Sequence, residues 1–402
     1  MNGNTFSPVS QTDRIVSIDL LRGVAVLGIL IMNIQHFSMP TAAYINPTAY
    51  GDITGLNKWV WIISHILASG KFMSIFSMLF GAGVLLFTGR AEAKGLNSAL
   101  LHYRRMGWLL LFGMMHGYLL WTGDILVSYS LCGMLVFLFR NKRPVTLIWI
   151  ALPFFLFPML LDLFFIGSIS QWPAEAYQFT MESWNPDAAS IEHHLDVYRG
   201  GWLGQMGLRV HGTIFMQTSY FMMQSFWRVM AMMLLGMALY KWQVFSSERS
   251  SRFFLRMTLT GLSVGFLLSG LGVFLNFKNQ WIMEFSMFLG EQFNYVGSVG
   301  TALGYIGLVM LLSKSKGCAG MKSRFSAVGR MAFTNYILMT LIGTFLFYGH
   351  GLGLYGSVER KFQIVLVLAI WILILIISPL WLKRFRFGPL ERLWRALTYW
   401  SW

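Results

Sequence analysis

The chain has 402 residues, of which 56% are hydrophobic and 12% are charged, with a formal net charge of +15. Soluble domains of this size need more charged surface, and disordered chains are less apolar, so the composition excludes both classes and indicates a membrane protein. The two cysteines, one in an apolar run and one in a Lys-rich loop, favour neither a disulfide framework nor a thiolate site, and no metal is predicted.

Apolar runs along the chain predict about ten transmembrane helices. The runs are long enough to cross about 30 Å of hydrocarbon. They are continuously apolar, which favours an α-helical bundle over a transmembrane barrel. Glycines inside them, such as Gly81 and Gly83, are expected to permit close helix contacts. The predicted spans are 15–37, 71–90, 104–121, 124–140, 144–166, 211–240, 253–276, 295–313, 328–349 and 361–382. The predicted fold class is therefore an all-α polytopic membrane protein.

Basic residues are crowded in every second connecting segment. Most of the 31 Lys and Arg residues lie on the side that holds both chain ends. Because cytoplasmic loops of membrane proteins concentrate Lys and Arg, this asymmetry predicts that both termini are cytoplasmic. The net charge then reflects topology, and no nucleic-acid partner is expected.

The predicted organisation is a cytoplasmic tail at 1–14, a transmembrane bundle at 15–382 and a cytoplasmic or interfacial tail at 383–402. Residues 56–69 carry apolar side chains at helical spacing, which predicts an interfacial helix in the first outer loop. The longest outer loop, 167–210, is net acidic, so it would attract a cationic partner or be a plain solvated loop.

Asp19 and Arg22 lie three residues apart near the cytoplasmic end of the first predicted helix, on one face. Charged groups within the hydrocarbon are costly unless paired or hydrated. The two residues therefore predict either an ion pair within the helix or a site for an anionic ligand that opens to the cytosol. Asn33 and His36 follow on the same helix, in the outer half of the bilayer.

His116 and Asp124 lie at the outer end of the third predicted helix, at a depth similar to that of Asn33 and Lys71. A neutral histidine oriented by a carboxylate is the usual general base, and an asparagine amide can stabilise an oxyanion. The spacing allows a catalytic centre of His116, Asp124 and Asn33, with Lys71 and His36 binding substrate. A structural core histidine bonded to a backbone carbonyl is the simpler alternative for His116 alone.

Arg228 is predicted near the middle of the membrane, because it lies about twelve residues from the inner end of its helix. At this depth a guanidinium needs an anion or several carbonyl groups. It is expected either to pair with Asp19 or a helix-terminal carbonyl, or to hold a phosphate or a thioester carbonyl.

Five strings occur in order along the chain and together resemble the YeiB family of bacterial inner-membrane proteins. They are RIVSIDLLRGVAVLGILIMNIQ at 14–35, GKFMSIFSMLFGAGVLL at 70–86, MHGYLLWTGDIL at 115–126, VGRMAFTNYIL at 328–338 and GPLERLWRALTY at 388–399. The first string is also similar to the opening of heparan-α-glucosaminide N-acetyltransferase, where an Arg-Gly pair precedes an Asn on the first helix. Arg22, Gly23 and Asn33 match that pattern.

The second resemblance implies an acyltransferase that takes an acyl group from cytosolic acyl-CoA, with acetyl-CoA the first candidate. The acceptor would be a hydroxyl or amine of a glycan or lipid on the other side of the membrane. Arg22, with Asp19 and Arg228, would then hold the coenzyme. This chain departs from the acetyltransferase pattern because its first outer loop lacks a histidine. His36 and His65 therefore remain alternatives to His116 as the base.

Two other functions stay open on the sequence. A small-molecule or lipid transporter of the inner membrane, such as a flippase, would use the same charged residues as a substrate relay. A membrane sensor without enzymatic activity is the third. Membrane lipids are expected partners in each case, and a homo-oligomer is compatible with the sequence.

Overall fold

The computed structural model describes residues 16–400, so the predicted tail at 1–14 lies outside the described residues. Within them the chain is an all-α polytopic membrane protein, and no strand occurs between residues 16 and 400. The helices are α1 Val16–Ser38, α2 Thr41–Ile45, α3 Gly55–Ala68, α4 Lys71–Ala93, α5 Ser98–Leu119, α6 Leu126–Val136, α7 Pro144–Ser168, α8 Ala174–Trp184, α9 Ala188–Arg199, α10 Met206–Gln217, α11 Phe226–Lys241, α12 Ser251–Lys278, α13 Met283–Phe285, α14 Glu291–Lys314, α15 Ala319–Arg330, α16 Ala332–Phe347, α17 Arg360–Arg384 and α18 Pro389–Tyr399.

Seven helical segments of the described chain are long and apolar enough to cross a membrane. Helices α15 and α16 make an eighth candidate span together, although they are bent by 83° at Met331. The seven are Val16–Ser38, Gly55–Ala93, Pro144–Gln171, Met206–Lys241, Ser251–Lys278, Met283–Lys314 and Arg360–Arg384. Helices α5 and α6 do not meet these criteria, so the number ten and the cytoplasmic position of the termini stay predictions.

Helix ends gather at two faces of the bundle. The basic face comprises the ends near 16–22, 90–105, 137–144, 241–256, 312–332 and 383–399; the opposite face comprises those near 38–71, 119–126, 168–206, 278–291 and 347–361. At the basic face the indole of Trp394 donates to the Arg105 carbonyl over 2.9 Å. At the opposite face the Tyr355 hydroxyl donates to the Met39 carbonyl over 2.9 Å. The charge asymmetry predicts that the basic face is the cytoplasmic one.

Burial separates central helices from lipid-facing ones. The most apolar windows of Val16–Ser38 and Met206–Lys241 are each 67% buried, against 17% for Pro144–Gln171 and 22% for Arg360–Arg384. Lipid solvates the peripheral helices, so their apolar surface needs no protein cover. Helices α1 and α11 are therefore the ones whose polar side chains meet protein or an internal space.

The helix predicted at 56–69 is present as α3, and it runs into α4 within one apolar stretch of 39 residues, Gly55–Ala93. Gly70 joins the two with φ +74°, a conformation that side chains with a Cβ rarely adopt. The placement of α3 at the membrane surface stays a prediction.

The long outer loop predicted at 167–210 is folded rather than open. It contains α8, α9 and the start of α10. The indole of Trp184 is buried and donates to the Trp281 carbonyl over 2.9 Å, which fastens α8 to the bundle. Arg209, near the end of the predicted loop, is buried and donates to the Gln205 side chain over 2.7 Å.

Gly81 lets the backbones of α4 and α11 approach closely, whereas Gly83 does not serve this purpose. A Cβ added to Gly81 would lie 2.0 Å from the Met233 carbonyl oxygen, and one added to Gly236 would lie 1.9 Å from that of Met78. A Cβ added to Gly83 would meet nothing within 4 Å. The expectation of a helix contact holds for Gly81 and is wrong for Gly83, which faces an internal space.

We expect Gly81→Ala to destabilise the bundle by about 1–3 kcal/mol, because α4 and α11 must separate to admit the methyl group. Gly83→Ala is the matched control and should unfold at the temperature of the unchanged protein. Thermal unfolding of the detergent-solubilised variants measures the difference. Identical unfolding temperatures for the two variants would contradict the close α4–α11 contact.

Candidate functional site

A cavity of about 270 Å³ opens at the basic face. Its charged lining residues come from α1, α5, α15 and α18, and they are Asp19, Arg22, Arg105, Arg330, Glu391 and Arg395. Deeper in, its walls are apolar and aromatic, with Phe76, Phe80, Leu109 and Tyr129 among them. The cavity also reaches Ile125. This residue directly follows Asp124 in the connection between α5 and α6. The cavity therefore has a basic mouth and an apolar interior.

Asp19 and Arg22 are both ion-paired and part of the cavity. The Arg22 guanidinium lies 3.2 Å from the Asp19 carboxylate, and 30% of the Arg22 side chain is exposed. The intrahelical ion pair is therefore present, and the same two residues also line a cavity, as the predicted ligand site requires. A polyanionic ligand at the mouth would compete with Asp19 for the guanidinium.

Helix α18, predicted as part of a tail at 383–402, forms one wall of the mouth. The Glu391 carboxylate accepts hydrogen bonds from the backbone N–H groups of Phe333, over 2.7 Å, and Thr334, over 3.0 Å. A new helix, α16, begins after the bend at Met331. The N–H groups in its first turn have no acceptor within the helix, and the Glu391 carboxylate supplies one. Burial holds the pKa of Glu391 above its usual value. The carboxylate therefore docks α18 and completes the cavity.

His116 is held in a chain of three buried side chains. Its Nδ1 lies 2.8 Å from Oδ1 of Asp124, and its Nε2 lies 3.0 Å from Oγ1 of Thr340 on α16. The second Asp124 oxygen accepts from the backbone N–H of Val127 over 2.8 Å, at the start of α6. His116 is 2% exposed and is not among the residues that line the cavity. The ring of Tyr336, which does line it, has its centroid 5.1 Å from that of His116.

Lys71 does not join His116 and Asp124, so the predicted convergence with them is wrong. Its Nζ donates to the His65 carbonyl, Ser269 Oγ and Asn294 Oδ1. The three bonds use all three donors of the buried ammonium group, which leaves none for a substrate. The reason is packing, since Lys71 begins α4 against α12 and α14, whereas His116 ends α5 against α16.

Arg228 lies closer to the opposite face than predicted, and it is not paired with Asp19. Its guanidinium donates to the Tyr295 carbonyl over 3.2 Å, to Ser74 over 3.1 Å and to Ser298 over 2.6 Å. Ser74 is in the first turn of α4, at the opposite face. Arg228 follows a π-turn, Phe221–Ser225, and lies about 20 Å from the inner end of α11 at 1.5 Å per residue. Arg228 does not line the cavity that Arg22 lines, and its role in coenzyme binding stays a prediction.

Asn33 and His36 lie one turn apart on the face of α1 that also carries Arg22 and Ile29. All four positions are half-buried on a helix that is otherwise largely buried. Neither the Asn33 amide nor the His36 ring has a hydrogen-bond partner among residues 16–400. Polar groups of this kind inside a membrane bundle face water or a ligand. This α1 face thus links the cavity mouth to the opposite half of the bundle.

His36 and His65 are both packed against aromatic rings, and His36 shares one of these rings with His116. The His36 ring lies 5.2 Å from the ring of Trp121 and 5.5 Å from that of Tyr44. Trp121 also contacts His116, with 6.2 Å between ring centroids, so one indole meets both imidazoles. His65 stacks on Trp61 of α3 at 4.9 Å.

Tyr44, Tyr220 and Glu291 are neighbours near the opposite face and are called the outer polar group below. Tyr44 and Tyr220 are 37% and 36% exposed, and Glu291 is also exposed. Burial raises the pKa of Tyr44, and nearby Tyr220 and Glu291 add to the shift. The outer polar group lies beside the His36 end of α1, since the ring centroids of Tyr44 and His36 are 5.5 Å apart.

Glu291 and Asp162 are polar residues that the sequence interpretation missed. Glu291 begins α14 before the predicted span at 295–313; it accepts from Asn294 over 3.2 Å and has no ion pair within the described chain. Asp162 lies inside the predicted span 144–166, where an acidic residue is itself a signal, and accepts from Gln224 and Gln292. Both belong to the polar half of the bundle at the opposite face.

Comparison with known proteins gives related proteins of similar length. A family model described as "Protein of unknown function (DUF418)" matches residues 239–401. "Uncharacterized protein YeiB" of Escherichia coli K12 is 32% identical over 389 residues, which is 96% of each chain. "Uncharacterized protein YxaH" of Bacillus subtilis 168 is 32% identical over 418 residues, covering 99% of this chain and 98% of that one. No solved structure matches the chain.

Proposed function

The chain belongs to the YeiB family of membrane proteins, and from that premise we propose that it is an acyl-CoA-dependent acyltransferase of the bacterial inner membrane. It moves an acyl group from acyl-CoA, acetyl-CoA in the first instance, bound at the basic face. The acceptor is a hydroxyl or amine of a glycan or lipid that enters from the opposite face.

The observation that carries the proposal is the shape and charge of the cavity. Acyl-CoA has a phosphate-rich nucleotide at one end and a long arm that ends in the thioester. Arginines at the mouth suit the phosphates, since guanidinium groups bind them by paired charge-assisted hydrogen bonds. The aromatic interior suits the arm, and a thioester end at Ile125 would be next in sequence to Asp124, which bonds to His116.

His116 is the base in this proposal, because Asp124 fixes its ring and leaves one nitrogen to take a proton. Asn33 would donate to the oxyanion, since its amide has no other partner in the described chain. His36 is the rival base on the α1 face, where its ring is free of hydrogen bonds to residues 16–400. The outer polar group, Glu291 with two partly exposed tyrosines, would bind the acceptor.

A transporter is the second candidate, and discontinuous helices favour it. The bend of 83° between α15 and α16 and the π-turn before α11 break two spans. Broken helices often surround the substrate site of secondary transporters. Substrate flux across proteoliposomes would identify a transporter, whereas an acyltransferase consumes acyl-CoA without moving it.

Arg22→Ala is expected to weaken binding of acetyl-CoA about tenfold or more, because a charge-assisted phosphate contact contributes about 1.5–3 kcal/mol. Calorimetric titration of the purified protein in detergent measures the affinity. Arg252→Ala is the matched control, since Arg252 is exposed at the basic face and does not line the cavity.

Equal affinities for the Arg22→Ala variant and the unchanged protein would show that the coenzyme does not bind at the cavity mouth. A variant that unfolds while its folded fraction keeps normal affinity would assign Arg22 to the structural ion pair with Asp19.

A further inference from the structure

Thr340 completes a hydrogen-bonded chain that begins at Asp124 and passes through His116. In a hydrogen bond of 2.8 Å that the Asp124 carboxylate accepts, the proton lies on Nδ1 of His116. Nε2 then carries a lone pair and accepts from the Thr340 hydroxyl over 3.0 Å, a shorter distance than the 3.4 Å from this hydroxyl to its other acceptor, the Tyr336 carbonyl. The bond between Asp124 and the Val127 N–H fixes the carboxylate in this orientation. The arrangement is that of an activated hydroxyl nucleophile, a base and an orienting carboxylate.

We propose that Thr340 Oγ1 attacks the thioester and carries the acyl group as an ester before the acceptor receives it. This inference rests on the proposed acyltransferase function and adds to it a covalent intermediate.

The position of Thr340 relative to the cavity supports this role. Tyr336 lines the cavity and precedes Thr340 by one turn of α16, and its ring contacts that of His116. Rotation of the Tyr336 side chain would admit the thioester to Thr340. Because Thr340 is 1% exposed, an ester formed there is shielded from water, which would otherwise hydrolyse it.

Two buried N–H donors without a partner lie around His116. The indole Nε1 of Trp121 and the amide Nε2 of Gln217 donate no hydrogen bond within the described chain. The Trp121 ring contacts that of His116, and Gln217 Nε2 would lie 3.2 Å from a Cβ added to Gly117, the residue after His116. Unpaired buried donors are costly unless an acceptor arrives. A developing oxyanion at the Thr340 ester is such an acceptor.

The two half-reactions balance without any further reagent. In the first, the C–O bond to Thr340 forms, the C–S bond to CoA breaks, and His116 passes the Thr340 proton to the leaving thiolate. In the second, the acceptor hydroxyl or amine attacks the ester, and its proton returns through His116 to Thr340. The products are CoA with a free thiol and the acylated acceptor.

The test is incubation of the full-length purified protein with radiolabelled acetyl-CoA in the absence of acceptor. We expect a burst of free CoA thiol and an acetyl label that survives denaturation. Mass spectrometry should place the label on Thr340, and alkaline but not neutral hydroxylamine should release it, as for an oxygen ester. Thr340→Ser should keep the label, whereas the isosteric Thr340→Val should lose it while still binding acetyl-CoA.

Thr344→Val is the matched control, since Thr344 is a buried threonine one turn along α16 that bonds only to backbone carbonyls. It should keep the label. A Thr340→Val protein that is still labelled, or an unchanged protein that binds acetyl-CoA without forming any label, would overturn the covalent step alone. A protein that does not bind acetyl-CoA at all would overturn the proposed function with it.

Discussion

His116→Asn is expected to lower acyl transfer by about 10²–10⁴-fold, the usual effect of removing a general base. The asparagine amide can still donate to Asp124, but it has no basic nitrogen to face Thr340. The cavity mouth lies at the other end of α5, so acetyl-CoA binding should be unchanged. Steady-state transfer and calorimetric affinity, measured on the same preparation, separate the two effects.

His36→Asn and His65→Asn are the controls, since each residue is a rival base. His36 faces Tyr44 and Trp121, and His65 stacks on Trp61, so neither contacts Thr340. If His36→Asn abolished transfer and His116→Asn did not, the reaction centre would lie on the α1 face beside Asn33. If all three variants were fully active, the histidine mechanism would be wrong and the transporter would become the better proposal.

Gly83→Leu is expected to weaken acetyl-CoA binding about 10–100-fold, because the new side chain occupies the cavity. The space around Gly83 is open, with nothing within 4 Å of an added Cβ, so the protein should fold with nearly normal stability. The effect is therefore one of occlusion, in contrast to the loss of helix packing expected for Gly81→Ala. Binding and unfolding temperature are measured together.

Gly89→Leu on the same helix is the control. Gly89 also has open space around it, but it is exposed and does not line the cavity. It should bind acetyl-CoA normally. Normal binding by the Gly83→Leu variant would mean that the ligand does not enter this cavity.

The sequence by itself determined the features that depend on one helix or its nearest turn. Apolar runs long enough to span a bilayer set the all-α membrane class. Asp19 and Arg22 are paired because residues three apart share a helix face. His116 and Asp124 meet because the chain reverses direction at the end of α5, so that eight residues separate two side chains 2.8 Å apart.

Only the tertiary structure decided which helices face each other and at what height. Lys71 and Arg228 found partners on α12 and α14 because the rotation and axial shift of a helix depend on its neighbours, not on its own periodicity. Gly81 and Gly83 lie in the same apolar run, so the sequence does not distinguish their roles. Two residues correspond to about 200° around a helix, and Gly81 therefore faces α11 whereas Gly83 faces the cavity.

Thr340 could not be found from the sequence for the same reason. It lies 224 residues from His116, and a threonine in an apolar helix usually bonds to its own backbone. Thr340 contacts His116 because the chain bends by 83° before α16 begins. Glu391 of α18 fixes the first turn of α16 by accepting a hydrogen bond from Phe333. Breaks and caps of this kind set the register between distant helices, and that register is a property of the packed bundle.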